Sequence, residues 1–324
     1  MSMLKRRALF AAPALLAAPA LAQSWPSRPV TMLVPFVAGG PSDLVARAIT
    51  IKLTERIGQP VVAENRPGAN GAVAAQFLAR QAPDGHTLMV GSIGTYAINA
   101  AIRPTGLGYD PVRDLTPITL AVTTPNVLVV NPQRVAANTL GEFTEWLKRN
   151  GGTASYSTSG VGSSDQLTTE LFKQRTGTEA THIPYQGGAA AATALLAGDV
   201  QLSFQNLGTV AAHIQGGRLK ALAVTGRERH RVLPDVPTAI EAGLSDFVVT
   251  SWQAVMAPGN MPASLRDKVS EEVRASLDAA DTRQRLGAIG LDVAATSAED
   301  YAAFQRAELE RWREVVRVAG IRAE

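Results

Sequence analysis

From Val30 onward the chain alternates short runs of branched apolar residues with longer stretches whose apolar positions recur every three or four residues. The first run, VTMLVPF over residues 30 to 36, is short and continuously apolar, which predicts a strand buried on both faces. It leads into the turn VAGGPSD. The next stretch spaces Val45, Ile49, Leu53 and Ile57 four residues apart on one helical face, with Gly58 as the stop. PVVAEN then predicts a strand, GAVAAQFLARQ a helix and HTLMVGS a third strand. Such alternation implies a parallel sheet with helices on its faces.

LTPITLAVTTPNVLVVNP is extended and long enough to carry the chain from one domain to another, and beyond it the alternation restarts. Thr139 and Glu142 have the spacing of a capping box ahead of Leu140, Phe143 and Leu147. The strand TASYSTS at 153 to 159 turns through GVGS into a helix where Ser163 and Gln166 repeat that spacing. Strands THIPY, VQLSF and LKALAVTG alternate with helices near Ala189 to Ala197 and Thr209 to Gln215. FVVTSWQAVMAP is a second extended run, able to cross back. Leu265, Val269, Val273 and Leu277 then mark one helical face, and Ser297 caps a last helix through Tyr301, Phe304 and Trp312. The predicted fold is α/β, two lobes joined by crossovers near 120 to 126 and 248 to 254, with a cleft between them. Residues 23–124 with 249–324 form one lobe and 125–248 the other.

Ahead of the first strand, Lys5, Arg6 and Arg7 precede fifteen apolar residues, Ala8 to Ala22, ending in Ala20-Leu21-Ala22. This order predicts a secretory signal peptide over 1–22, with the mature chain starting at Gln23. A membrane anchor or a buried helix is the other reading. Fifteen residues fall short of the roughly 20 that a helical span needs, and Pro13 and Pro19 interrupt it. The Arg6-Arg7 pair leaves both the Sec and twin-arginine routes open. Without the leader's three cations, the formal charge of +3 falls to zero, 28 basic against 28 acidic residues. A balanced surface gives no basis for general binding to nucleic acid or anionic membrane. The absence of cysteine excludes disulfides and thiol chemistry.

Ligands of open α/β sheets bind beyond the carboxyl ends of the strands, where turns enter helices. Two glycine-rich turns occupy that position, Ala38-Gly39-Gly40-Pro41-Ser42-Asp43 in the first lobe and Ser159-Gly160-Val161-Gly162-Ser163 in the second. Glycine admits close backbone approach, and the unpaired amides of a first helical turn favour an anion. Each turn alone also reads as a tight turn with a serine cap; their matched placement points to a shared carboxylate site. Asp43 reads as an acid supporting its own helix, and secondarily as a partner for a ligand hydroxyl or amino group. No G-x-S-x-G elbow, H-E-x-x-H pair or Walker loop is present, and His86, His182, His213 and His230 are scattered. No metal site, cofactor or catalytic residue is therefore expected. GRERHR at 226 to 231 reads as a solvated loop or a docking patch, and Trp252 as hinge packing or a stacking platform.

The blocks WPSRPVTMLVPFVAGGPSDLVAR, GQPVVAENRPGANGAVAA, PDGHTLMVGS, YDPVRDLTPI, GVGSSDQLTTELF, HIPYQGGAAA and LKALAVTG…LPDVPTAIEAG, in this order, resemble the Bug (TctC-like) family of periplasmic solute-binding proteins of tripartite tricarboxylate transporters. The resemblance runs from Trp25 almost to the end. It implies a type II, Venus-flytrap binding protein, monomeric, that closes on a small organic acid and presents it to membrane subunits. It places Phe36, Ala38, Gly39, Gly40, Ser42 and Asp43, then Ser92, Thr95 and Tyr96, and Ser159, Gly160, Gly162 and Ser163 around the ligand. Two positions depart from the family pattern. Gln166 stands where His is common, and Gln205 where an Asp commonly precedes Asn206. If Gln205 lines the cleft, a lost negative charge disfavours an amino-acid ligand and leaves a dicarboxylate or an aromatic or other monocarboxylate. An α/β enzyme using the same cleft, or a receptor that signals to a sensor, are the alternatives.

Overall fold

The computed structural model describes residues 25–319. The expected leader and the start at Gln23 lie outside the described residues. Strands β1 (Val30–Val34), β2 (Val61–Asn65) and β3 (Thr87–Ser92) run parallel in one lobe, and β5 (Ser155–Thr158), β6 (Thr181–Pro184) and β7 (Leu202–Asn206) in the other. Two antiparallel strands, β4 (Leu115–Val130) and β9 (Thr250–Pro258), join them, giving the order β2-β1-β3-β9-β4-β7-β5-β6. β8 (Lys220–Val224) and β10 (Asp292–Val293) also pair with β4.

The first predicted crossover is thus the middle of one 16-residue strand. Its residues Leu115 to Pro125 pair with β9, and Asn126 to Val130 with β7. Proline has no amide hydrogen to donate, so Pro125 falls where β4 exchanges one partner for the next. There Thr225 Oγ1 accepts from the Asn126 amide at 2.9 Å and donates to the Val249 carbonyl at 2.5 Å, tying the two crossing segments together.

The period-two alternation of the strands explains the layers. In β1, Met32 and Val34 pack against Val45, Ile49 and Leu53 of α1 (Pro41–Ile57) and Val269 and Val273 of α8 (Ala263–Asp278), while Leu33 belongs to the cluster on the other face, with residues of α2 (Ala72–Leu78) and α10 (Ala298–Ala319). In β4, Leu128 and Val130 face α4 (Leu140–Asn150) and α5 (Ser164–Thr176), and Val127 and Val129 face α6 (Gly188–Ala197) and α7 (Leu207–Gln215). The predicted caps form: Thr139, Ser163 and Ser297 accept the amides of Glu142, Gln166 and Asp300. After β3 the chain forms a π-helical turn, Gly94–Ile98, then α3 (Asn99–Ile102). IGTYAINAAI gives no amphipathic period because Ile93 to Asn99 are buried on every side. Among the described residues no helix is long and apolar enough to cross a membrane.

Trp252 packs inside the hinge. Its ring stacks near Tyr96, and its indole donates to the buried Glu308 carboxylate at 2.8 Å, as does Trp312 at 3.1 Å. In GRERHR, Arg229 pairs with Glu241, while His230 and Arg231 both reach Asp292, so the run is a tether between segments. Glu308→Ala leaves two buried indole donors without an acceptor, each costing about 1–3 kcal/mol. Urea unfolding should show a loss of at least about 2 kcal/mol; wild-type stability would mean that these bonds contribute nothing net.

Candidate functional site

β1, β5, β6 and β7 are each followed by a helix, and the first turns of α1, α5, α6 and α7 open onto one cavity between the lobes. The space between the lobes here amounts to about 410 Å³, the solvent at its mouth included. Gly40, Pro41 and Ser42 of α1, Ser163, Ser164 and Asp165 of α5, Gly188 of α6 and Asn206 and Thr209 of α7 line it. Phe36, Ser92, Ile93, Ser159 and Gln205 add to the wall, and β9 contributes Ser251 and Gln253. Residues from the starts of four helices, where first-turn amides have no intrahelical acceptor, therefore border one small space. Among the described residues lining it, none is Lys, Arg or His; Asp165 is the ionisable one.

The lobes meet over this space. The Val37 amide donates to the Gln186 carbonyl at 3.4 Å. Gly187, with φ of 126°, lies where a Cβ would come within 3.2 Å of the Phe36 Cβ, and a Cβ on Gly162 would come within 3.0 Å of Asn99 Oδ1. Glycine at these two positions permits both the left-handed backbone and the close approach.

Of the residues singled out from sequence, Phe36, Gly40, Ser42, Ser92, Ser159, Ser163 and Gln205 lie on the cavity wall. Ala38 and Gly39 are exposed in the neighbouring loop. Asp43 is buried behind that loop and accepts from the Gly39 amide at 2.9 Å, Arg47 Nε at 2.9 Å and Asn65 Nδ2 at 3.0 Å. Burial pushes the Asp43 carboxyl upward, and these hydrogen bonds outweigh it and hold the pKa below its ordinary value. Asp43 thus shapes the turn from behind. Thr95 donates to the Asn70 carbonyl and Tyr96 to that of Met89, which puts both in the layer supporting the wall. The Gly160 and Gly162 amides are engaged within their own lobe, by Thr158 Oγ1 and Gln166 Oε1. Gln166 spends its other end on His182 and lies off the wall.

Asp165, which sequence reasoning missed, is fully buried and holds this corner together. Its Oδ2 accepts from the Ser159 amide and hydroxyl, both at 2.7 Å, and from Gln205 Nε2 at 3.3 Å. Burial pushes its pKa up, against the pull of the Ser159 hydrogen bonds, its own amide and Ser164. Gln205 does line the cavity, but the acid that the departure at this position seemed to remove is supplied by Asp165 beside it. Ser164, Asn206, Thr209, Ser251 and Gln253 were missed as well. Asn206 and Thr209 mark a helix start without a glycine-rich turn, and Ser251 and Gln253 are alternate positions of a strand read only as a crossover.

A cavity between two α/β lobes, walled by helix starts and closed by facing loops, defines a two-lobed solute-binding protein. The model of the Tripartite tricarboxylate transporter family receptor matches residues 45–321, and the chain belongs to this family, the Bug or TctC-like periplasmic solute-binding proteins. BugT of Bordetella pertussis is 34% identical over 313 residues, 96% of this chain and 95% of that one. Two solved structures are each 34% identical: R. palustris Rpa4515 with adipate (TM-score 0.88, covering 92% of this chain and 99% of that one) and MatC of Rhodopseudomonas palustris with bound malate (TM-score 0.86, 90% and 100%).

Ser163 Oγ accepts the Gln166 amide, and it also faces the cavity, where its proton can be donated. Ser163→Ala should cost about 0.5–2 kcal/mol of stability as a lost cap. Affinity for a carboxylate should fall roughly tenfold or more, as for a hydrogen bond to a charged group. Gly40 has a φ of −84°, and a Cβ there meets only Ala189 N at 3.9 Å, so Gly40→Val folds while its branch fills the space between lobes. Its loss of binding should exceed that of Ser163→Ala. Calorimetric titration of both variants, with folding checked by circular dichroism, decides; wild-type affinity in both would place the ligand elsewhere.

Proposed function

We propose that this periplasmic receptor captures a small organic carboxylate, a dicarboxylate or an aromatic or other monocarboxylate, and delivers it to the membrane subunits of a tripartite tricarboxylate-type transporter. The observation that carries the reading is the convergence of four helix starts on a cavity with no cationic side chain among its described lining residues. Helix amides hold an anion without a side-chain charge, and do so best where water is excluded. The relatives solved with adipate and with malate support the same ligand class. Several serines face the cavity, but with no Lys or His among the described lining residues to activate them, the site favours capture over covalent chemistry. The lobes are assigned as residues 23–124 with 249–324, and 125–248. The segment 1–22 directs export, and the receptor acts as a monomer.

A bound carboxylate beside Asp165 disfavours ionisation of that acid further. Since burial already raises the pKa of Asp165, the complex holds more protons than the free protein, and affinity strengthens as pH falls. The gain ends where the ligand itself begins to titrate. Calorimetry of protein from the periplasmic fraction, beginning at Gln23, against a panel of dicarboxylates and aromatic monocarboxylates should find saturable binding. Repeated in buffers of different ionisation enthalpy, it should show proton uptake that Asp165→Asn removes. No binding by any member of the panel contradicts the carboxylate reading; binding without proton uptake contradicts only the role given to Asp165.

A further inference from the structure

Gln253 is 1% exposed on β9, lines the cavity, and its Oε1 is buried without a hydrogen-bond partner. An unpaired buried carbonyl oxygen is uncommon, and what it lacks is a donor. Its orientation follows from a chain of buried hydrogen bonds that begins at a main-chain carbonyl. The Ser164 carbonyl can only accept, so Thr168 Oγ1 donates to it, at 2.6 Å. Having spent its proton, Thr168 Oγ1 accepts from Asn126 Nδ2 at 2.8 Å. Asn126 therefore presents Oδ1 to Asn206 Nδ2, at 2.5 Å. Asn206 in turn directs its Oδ1 at Ser251 Oγ, 3.3 Å away, and at Gln253 Nε2, 3.5 Å away. Turning the Gln253 amide over would set two carbonyl oxygens against each other, so Nε2 stays on Asn206 and Oε1 is the end left for a donor from the cavity that Gln253 lines.

The cavity thus has two kinds of wall. The helix starts offer donors for an anion, and Gln253 offers a fixed acceptor. On the other flank, Thr209 Oγ1 is also buried without a partner. We infer that the ligand is a hydroxylated carboxylic acid whose hydroxyl donates to Gln253 Oε1. The inference rests on the carboxylate reading above and narrows it. A hydroxyl suits the Gln253 acceptor better than an ammonium group, which has three protons to place and a charge to balance: Gln253 is neutral, and both Asp165 oxygens already accept, Oδ2 from the Ser159 amide and hydroxyl and from Gln205, and Oδ1 from Ser164.

Matched acids that differ at one carbon test this: malate, succinate and aspartate, and likewise 2-hydroxyglutarate, glutarate and glutamate, titrated calorimetrically into the wild-type protein and Gln253→Met. Within a set that binds, the wild type should favour the hydroxy acid over its deoxy partner by roughly tenfold or more, because the deoxy acid leaves the acceptor unpaired. The amino analogue should bind more weakly than the hydroxy acid. In Gln253→Met, verified as folded by circular dichroism, the hydroxy-to-deoxy ratio should collapse toward one. Equal wild-type affinity for hydroxy and deoxy acids, preference for the amino acid, or a ratio unchanged in Gln253→Met overturns the inference while leaving carboxylate binding intact. Failure of every acid to bind overturns the carboxylate reading and the inference with it.

Discussion

A helix begins with amides that have no partner in the helix, and here four helices begin at one cavity. That excess of donors is the constraint on which the rest of the site depends. It arises because the parallel strands of each lobe aim their carboxyl ends at the cleft, and because β4 and β9 set the two sheets so that the ends face each other. The apolar layers on both faces of each sheet hold the helices in place, so the cavity wall is an outcome of core packing as much as of the residues that touch the space.

An acid in the wall of an anion site looks self-defeating until its partners are counted. Asp165 gathers Ser159, Ser164 and Gln205, and so fixes the loop that closes one end of the cavity. Behind the opposite loop, Asp43 performs the same task with Gly39, Arg47 and Asn65. The two acids differ in surroundings. Asp43 has a guanidinium against it and a lowered pKa, whereas Asp165 is buried among neutral donors and its pKa is raised. Burial thus favours the protonated form of the acid in the second lobe, and hydrogen bonding the charged form of the one in the first.

Much of the architecture was legible because its signals are local. Strand and helix order, the serine and threonine caps at 139, 163 and 297, and the two glycine turns all follow from residues close in sequence. What escaped depends on long-range placement. Asp165 has the sequence signature of any first-turn acid, and only the fold shows Ser159 and Gln205 against it. Ser251 and Gln253 lie on a strand buried on both faces, where no alternation distinguishes the cavity side from the core side. The amides of Gly160 and Gly162 look open from sequence, yet Thr158 and Gln166 engage them. GRERHR reads as a charge run until Asp292 is brought to His230 and Arg231.

The lobes touch at Val37 and Gln186 and at Phe36 and Gly187. The two segments that cross between the lobes, at Pro125 and Val249, are held together through Thr225. What the cavity offers an acid is decided most directly by a crystal structure of the protein with a bound carboxylate. Carboxylate oxygens are expected within hydrogen-bond reach of the first-turn amides and hydroxyls of α1 and α5, at Ser42 and Ser163. A carboxylate seated instead in the basic surface pocket of Arg231 and Arg283, with only water in the cavity between the lobes, would contradict that expectation.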